Sequence, residues 1–140
     1  MSQITLGILG GGQLGSMLSV AAKKLNIKTV IYCNDEKAPA KNFCDDFIYA
    51  EYDNNEKIND FAKKVDIITY EFENIPFETL NELNKLKTVL PKPSVNRLIQ
   101  HRLAEKDFIN KLNIRTTRYV HIESKEDLLP LGDFLPGILK

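Results

Sequence analysis

Ile4-Thr5-Leu6-Gly7-Ile8-Leu9-Gly10-Gly11-Gly12-Gln13-Leu14-Gly15 stands near the start of the 140-residue chain, and its reading decides the fold class. The apolar run through Leu9 predicts a buried parallel strand. Leu14, Met17, Leu18, Ala21, Ala22 and Leu25 then recur at the spacing of one helical face. Asn26 is a natural stop, because asparagine tolerates the left-handed conformation at a helix end. Between strand and helix, Gly10 to Gly15 fits G-x-G-x-x-G in the strand-turn-helix setting that gives this motif meaning. The glycines allow a tight turn, and the N–H groups at the helix start favour an anion such as phosphate. A tight turn with no ligand is the plainer reading of the same residues.

Working outward, strands and helices alternate. Thr29–Cys33 predicts a second strand, with Asn34-Asp35 as turn residues. A short helix is expected over Ala38–Asn42 and a short strand over Phe47–Ala50. Ile58, Phe61, Ala62 and Val65 mark a helix, and Asp66–Tyr70 a strand. Pro76 starts a helix carrying Phe77, Leu80, Leu83 and Leu86, and Thr88–Leu90 forms a last strand before Pro91 and Pro93. This order predicts an α/β domain over residues 1–93, an open parallel sheet with helices on both faces. Ligands of such sheets bind at the carboxyl ends of the strands, near the switch in strand order. Past Pro93 the pattern becomes helical, with Val95, Leu98 and Ile99 on one helix and Ala104, Phe108, Ile109 and Leu112 on another. Ser124-x-x-Asp127 is a capping signal, and Gly137–Lys140 is expected to begin a further strand, so residues 94–140 read as a connector and a truncated second region.

Composition narrows the function. Hydrophobic residues make up 43% and charged residues 27%, enough for a soluble core. The formal net charge is zero, which gives no overall field for nucleic acid or anionic lipid. Apolar runs are too short for a membrane helix, no secretory signal is visible, and a cytoplasmic protein is expected. Cys33 and Cys44 are not spaced as metal ligands, and buried free thiols are expected.

Three further features carry chemistry. Asp35 follows Gly15 by the interval of a ribose-binding acid in nicotinamide dehydrogenases, or is an ordinary turn aspartate. Glu71 and Glu73 alternate at a strand end, so both are expected to face the cleft and bind ribose hydroxyls or an amine, unless they only solvate that end. Arg97, His101, Arg102 and Lys106 form a basic stretch, either a solvated helical face or a phosphate contact through Arg102.

In order, Ile8 to Gly15, Ala38-Pro39-Ala40, Thr69-Tyr70-Glu71-Phe72-Glu73-Asn74-Ile75-Pro76 and Arg102-Leu103-Ala104-Glu105-Lys106 resemble the 5-(carboxyamino)imidazole ribonucleotide synthases, ATP-grasp enzymes of purine biosynthesis. The resemblance implies a Rossmann-like preATP-grasp domain followed by the start of an ATP-grasp region. It implies ATP-dependent carboxylation of 5-aminoimidazole ribonucleotide by bicarbonate, through carboxyphosphate and with Mg2+. It implies ATP contacts at Arg102 and Lys140, and substrate contacts at Gly12, Gln13, Leu14 and Glu73. Catalytic residues and metal ligands are expected beyond residue 140, which implies that the chain alone is inactive; a homodimer is plausible. Where the family usually has arginine after Gln-Leu-Gly, this chain has Ser16, so no phosphate role passes to that position. The alternatives are a nicotinamide-dependent dehydrogenase domain and a non-catalytic ribonucleotide-binding module.

Overall fold

The computed structural model describes Gln3–Leu139. Five parallel strands form one sheet: β1 (Thr5–Leu9), β2 (Lys28–Cys33), β3 (Asp46–Tyr49), β4 (Ile67–Tyr70) and β5 (Thr88–Val89). Their order is β3-β2-β1-β4-β5. The order reverses beside β1, whose neighbours are β2 in the register Gly7↔Val30 and β4 in the register Gly7↔Ile68. The crevice at the carboxyl ends of β1 and β4 is therefore the switch point.

Helices α1 (Gln13–Lys24), α2 (Asn55–Lys64), α3 (Phe77–Leu86) and α4 (Pro93–Ile99) and a 3-10 turn over Pro39–Asn42 accompany the sheet. Alternation along the strands divides the core in two. Leu9, Val30, Tyr32 and Ile68 pack with Phe61, Ala62, Leu80 and Leu83 of α2 and α3. Ile8, Ile31 and Cys33 pack with Ala38, just before the 3-10 turn, and Ala40 within it. Gly7 lets α2 approach the sheet closely, since a Cβ there would lie 2.6 Å from Phe61 Cζ. Asn54 caps α2, its side chain accepting from Lys57 N. Asn26 ends α1 in the left-handed conformation, with φ 57°.

One helix face differs from the sequence expectation. Leu14, Met17, Leu18 and Leu25 of the apolar stripe are exposed, while Gly15, Ser16, Ser19 and Ala22 are buried. Small residues let α1 lie close to the 3-10 turn: a Cβ on Gly15 would stand 3.4 Å from that of Ala40. The buried Ser19 hydroxyl donates to the Gly15 carbonyl at 2.9 Å, so its burial leaves no unpaired group.

The first compact unit runs through His101, past the Pro93 boundary expected from sequence, because α4 packs on α3. The second starts at Arg102 with helix α5 (Arg102–Lys111), none of whose residues is fully buried. The Asp127 carboxylate accepts from Glu123 N and Ser124 N at 2.9 and 2.8 Å, the acidic half of the capping signal, while the short 3-10 turn over Glu126–Leu128 has Lys125 as its N-cap with no side-chain cap bond. Those two backbone bonds hold its carboxyl below the usual aspartate range. Gly137–Leu139 carry no strand, contrary to expectation, and Lys140 lies outside the described residues. A strand needs a partner for its backbone groups, and apolar sequence alone does not supply one.

The core makes one pH-dependent prediction. The fully buried Tyr32 donates its hydroxyl to the Glu51 carbonyl at 2.6 Å. Burial, then the charges of Asp53 and Glu51, push its phenol up to about 12. The folded chain thus holds this proton to higher pH than an unfolded tyrosine, near about 10. The resulting stability is complete below about pH 10 and is lost as pH rises toward about 12. The tyrosinate absorbance difference between the parent and Tyr32→Phe should therefore rise near pH 12. A difference step near pH 10 would refute the buried phenol.

Candidate functional site

The site starts where β1 ends. Gly10 leaves the strand with φ 106°, a conformation that glycine adopts readily, and its N–H donates to the Tyr32 carbonyl at 3.0 Å. Gly12 is the N-cap of α1 and has no side chain to cap it. The acceptor comes instead from the residue after β4: Glu71 Oε1 accepts from Gly12 N at 2.9 Å. Glu71 is placed for this by its own backbone, whose N–H donates to the Leu9 carbonyl at 3.0 Å and extends the β1–β4 pairing by one residue.

The loop glycines are shaped around this carboxylate. A Cβ on Gly10 would lie 2.8 Å from Glu71 Oε1, one on Gly12 3.2 Å and one on Gly15 3.5 Å. On the far side, a Cβ on Gly11 would meet that of Ala38 at 2.6 Å, and Ala40 N donates to the Gly11 carbonyl at 3.0 Å. The loop is thus enclosed by Glu71 and by Ala38-Pro39-Ala40, two of the stretches singled out from sequence. Gln13 and Leu14 stand exposed on the first turn of α1.

Glu71 and Glu73 do not share a strand face, because β4 stops at Tyr70 and the chain turns. Glu73 is exposed in that turn, at the same carboxyl edge of the sheet as the glycine loop. The turn is fixed from α4 and the residue after it. Gln100 Nε2 donates to the Glu73 and Ile75 carbonyls at 2.6 and 2.8 Å, and the buried Asn96 donates to the Ile75 carbonyl at 3.1 Å. Sequence reading missed Glu71's pairing, Asn96 and Gln100; a polar residue inside an amphipathic helix such as Asn96 was the available signal.

Asp35 forms a local turn, its Oδ1 accepting from Lys37 N at 2.9 Å. Ser16 is turned inward and donates its hydroxyl to the Gly12 carbonyl at 3.1 Å. The basic stretch is not one helical face: α4 ends at Ile99 and α5 begins at Arg102. Arg97 lies over the Phe77 ring at 4.8 Å. In the second unit, Arg102 Nη1 pairs with Glu105 Oε2 at 2.8 Å, and Lys106 Nζ donates to Thr117 Oγ1 at 2.8 Å. Lys140, the other expected ATP contact, lies outside the described residues. Among the described residues no three His, Cys, Asp or Glu side chains gather as a metal site, so these residues do not fit a magnesium centre. No helix among them is long and apolar enough to cross a membrane.

Residues 3–100 match the family described as the ribonucleotide synthetase preATP-grasp domain. The bifunctional purine synthesis protein purC/E of Dictyostelium discoideum is 41% identical over 138 residues, covering 97% of this chain and 14% of that protein. The N5-carboxyaminoimidazole ribonucleotide synthase of Staphylococcus epidermidis is 37% identical over 125 residues, covering 89% of this chain and 33% of the other. The chain therefore spans a third or less of the length of these curated relatives. Among solved structures, the N5-carboxyaminoimidazole synthetase of Staphylococcus aureus complexed with ADP superposes with a TM-score of 0.85 at 31% identity, over 93% of this chain and 35% of its own. The Aspergillus clavatus N5-carboxyaminoimidazole synthase, in complex with ADP and 5-aminoimidazole ribonucleotide, gives 0.81 at 28% identity, over 96% of this chain and 36% of its own.

Proposed function

This chain belongs to the ribonucleotide synthetase preATP-grasp family, and from that premise we propose that it forms the substrate-facing amino-terminal part of an N5-carboxyaminoimidazole ribonucleotide synthase. The whole enzyme would carboxylate 5-aminoimidazole ribonucleotide with bicarbonate at the expense of ATP, with Mg2+ required. The observation that carries this reading is the joining of two sequence signatures at the switch point: Glu71 of the Tyr-Glu-Phe-Glu-Asn segment is bonded to Gly12 of the glycine loop. Their union leaves Gln13, Leu14 and Glu73 exposed at the carboxyl edge of the sheet, where ligands of such sheets bind.

In this reading the Gln13 amide offers both a donor and an acceptor, and the Glu73 carboxylate accepts from ribose hydroxyls or from the amine of the ribonucleotide. Leu14 supplies an apolar surface against the imidazole. Arg102 and Lys140 would contact ATP, Arg102 as a planar fork for phosphate oxygens. The ligands of the required Mg2+ would come from parts of the enzyme outside this chain, where the ion would supply neutralisation of phosphate charge. The remaining clamp residues, and exclusion of water from carboxyphosphate, belong to parts of the enzyme outside this chain, so the 140-residue chain is expected to be inactive alone. A homodimer and a cytoplasmic location complete the proposal.

The test uses the chain extended through the remaining domains. Glu73→Gln should raise KM for aminoimidazole ribonucleotide about tenfold, the loss of one charge-assisted hydrogen bond, with KM for ATP unchanged. Equal effects on both substrates would count against the assignment of Glu73. Asp35's engagement in its own turn weighs against the nicotinamide reading. Fluorescence titration with NADH should show no saturable binding, and saturation would favour the dehydrogenase alternative.

A further inference from the structure

The glycine loop has the form of a phosphate cradle, yet its helix terminus already holds an anion. We infer that Glu71 is a positioning residue whose carboxylate closes the amino terminus of α1 to phosphate, so that the loop accepts only uncharged or basic groups of a ligand. This rests on the substrate-site reading above for its place in the enzyme, but its physical basis is separate.

The first support is the bond itself, Glu71 Oε1 to Gly12 N at 2.9 Å. An N–H at the start of a helix is where the macrodipole favours negative charge and where a bound phosphate would sit. The second is the shape of the loop. Gly10, Gly12 and Gly15 each approach Glu71 Oε1 so closely that a Cβ would stand within 3.5 Å of it. The absence of side chains that would admit a phosphate here admits the carboxylate instead. The third is the backbone: Glu71 N is bonded to the Leu9 carbonyl at 3.0 Å, which fixes the residue at the end of the β1–β4 ladder. The fourth is Ser16, which follows Gly15, carries no charge and turns its hydroxyl to the Gly12 carbonyl at 3.1 Å.

A phosphate brought to Gly12 would meet a carboxylate at hydrogen-bonding range of the same N–H. Like charges at such a distance repel strongly even when partly screened. The ribonucleotide's phosphate must therefore be held by another part of the enzyme, and its amine or its hydroxyls turned toward this loop. Glu71 also aims the first turn of α1, since the bond to Gly12 sets the direction in which Gln13 and Leu14 project.

The experiment is an amide NMR titration of the 140-residue chain with inorganic phosphate, in the parent and in Glu71→Gln and Glu71→Ala. The parent should show no saturable shift of the Gly12 and Gln13 amides. Glu71→Gln keeps an acceptor and the side-chain shape but removes the charge, and should show saturable phosphate binding at those amides where the parent shows none. Glu71→Ala should bind at least as tightly, provided that its amide dispersion shows it folded; Glu71→Gln carries the test if it is not. Saturable phosphate binding at Gly12 in the parent would overturn the inference, as would a folded Glu71→Gln with no gain. No purine substrate enters this measurement, so its failure is distinct from a failure of the Glu73→Gln kinetics.

Discussion

Phe61→Ala is expected to destabilise the first unit by about 3–5 kcal/mol, the usual cost of emptying a fully buried phenylalanine site. Phe61 has no exposed surface. Its ring meets Tyr32 edge to face, with centroids 5.5 Å apart and planes at 63°. On the sheet side it fills the space that Gly7 leaves open, so its removal opens a void between α2 and β1 that no neighbouring side chain on Gly7 can fill. Small domains have only about 5–15 kcal/mol in total, so the variant should lose roughly a fifth or more of its stability. Its melting temperature should fall by roughly 15–30 °C. Thermal unfolding followed by circular dichroism measures this, and a fall of only a few degrees would show that the ring is not the centre of the packing.

Gly10→Ala should cost roughly 2–5 kcal/mol, for a different reason. Its φ of 106° strains any residue with a side chain, at roughly 1–3 kcal/mol. The added Cβ would also lie 2.8 Å from Glu71 Oε1 and 3.0 Å from Phe72 Cβ, an overlap that adds a comparable amount. Two other glycines provide the scale. Gly12 has φ −72°, and its Cβ would stand 3.2 Å from the same oxygen, so Gly12→Ala should be the milder change. Nothing lies within 4 Å of a Cβ on Gly132, and Gly132→Ala should be close to neutral. Urea unfolding of the three variants should rank them Gly10, Gly12, Gly132 in decreasing effect. Equal midpoints for Gly10→Ala and Gly132→Ala would contradict the packing around Glu71.

The strand-turn-helix unit was legible because its signals are local: an apolar run, glycines at a turn, and Asn26 at a helix end. The alternating elements that follow were legible for the same reason, and the family of the chain with them. The buried face of α1 was not. Periodicity reports that a stripe exists at Leu14, Met17, Leu18 and Leu25, but a helix made to approach closely buries its small residues, here Gly15, Ser16, Ser19 and Ala22. The pairing of Glu71 with Gly12 joins residues 59 apart in sequence and depends on which strands become neighbours. Alternation along a strand also said nothing of where β4 would stop, so Glu71 and Glu73 were given a common face that the turn after Tyr70 removes. Gly137–Leu139 shows the same limit, since a strand is a relation between two segments.

The outward stripe of α1 has a consequence for how the protein behaves in bulk. Leu14 and Met17 are 57% and 60% exposed, on a chain whose formal charge is zero and whose isoelectric point is about 6.7. Near neutral pH, copies of this chain meet without long-range repulsion while presenting sticky apolar surface. Colloidal stability is therefore poorest close to neutrality and improves as pH moves away from the isoelectric point in either direction, within the range where the fold holds.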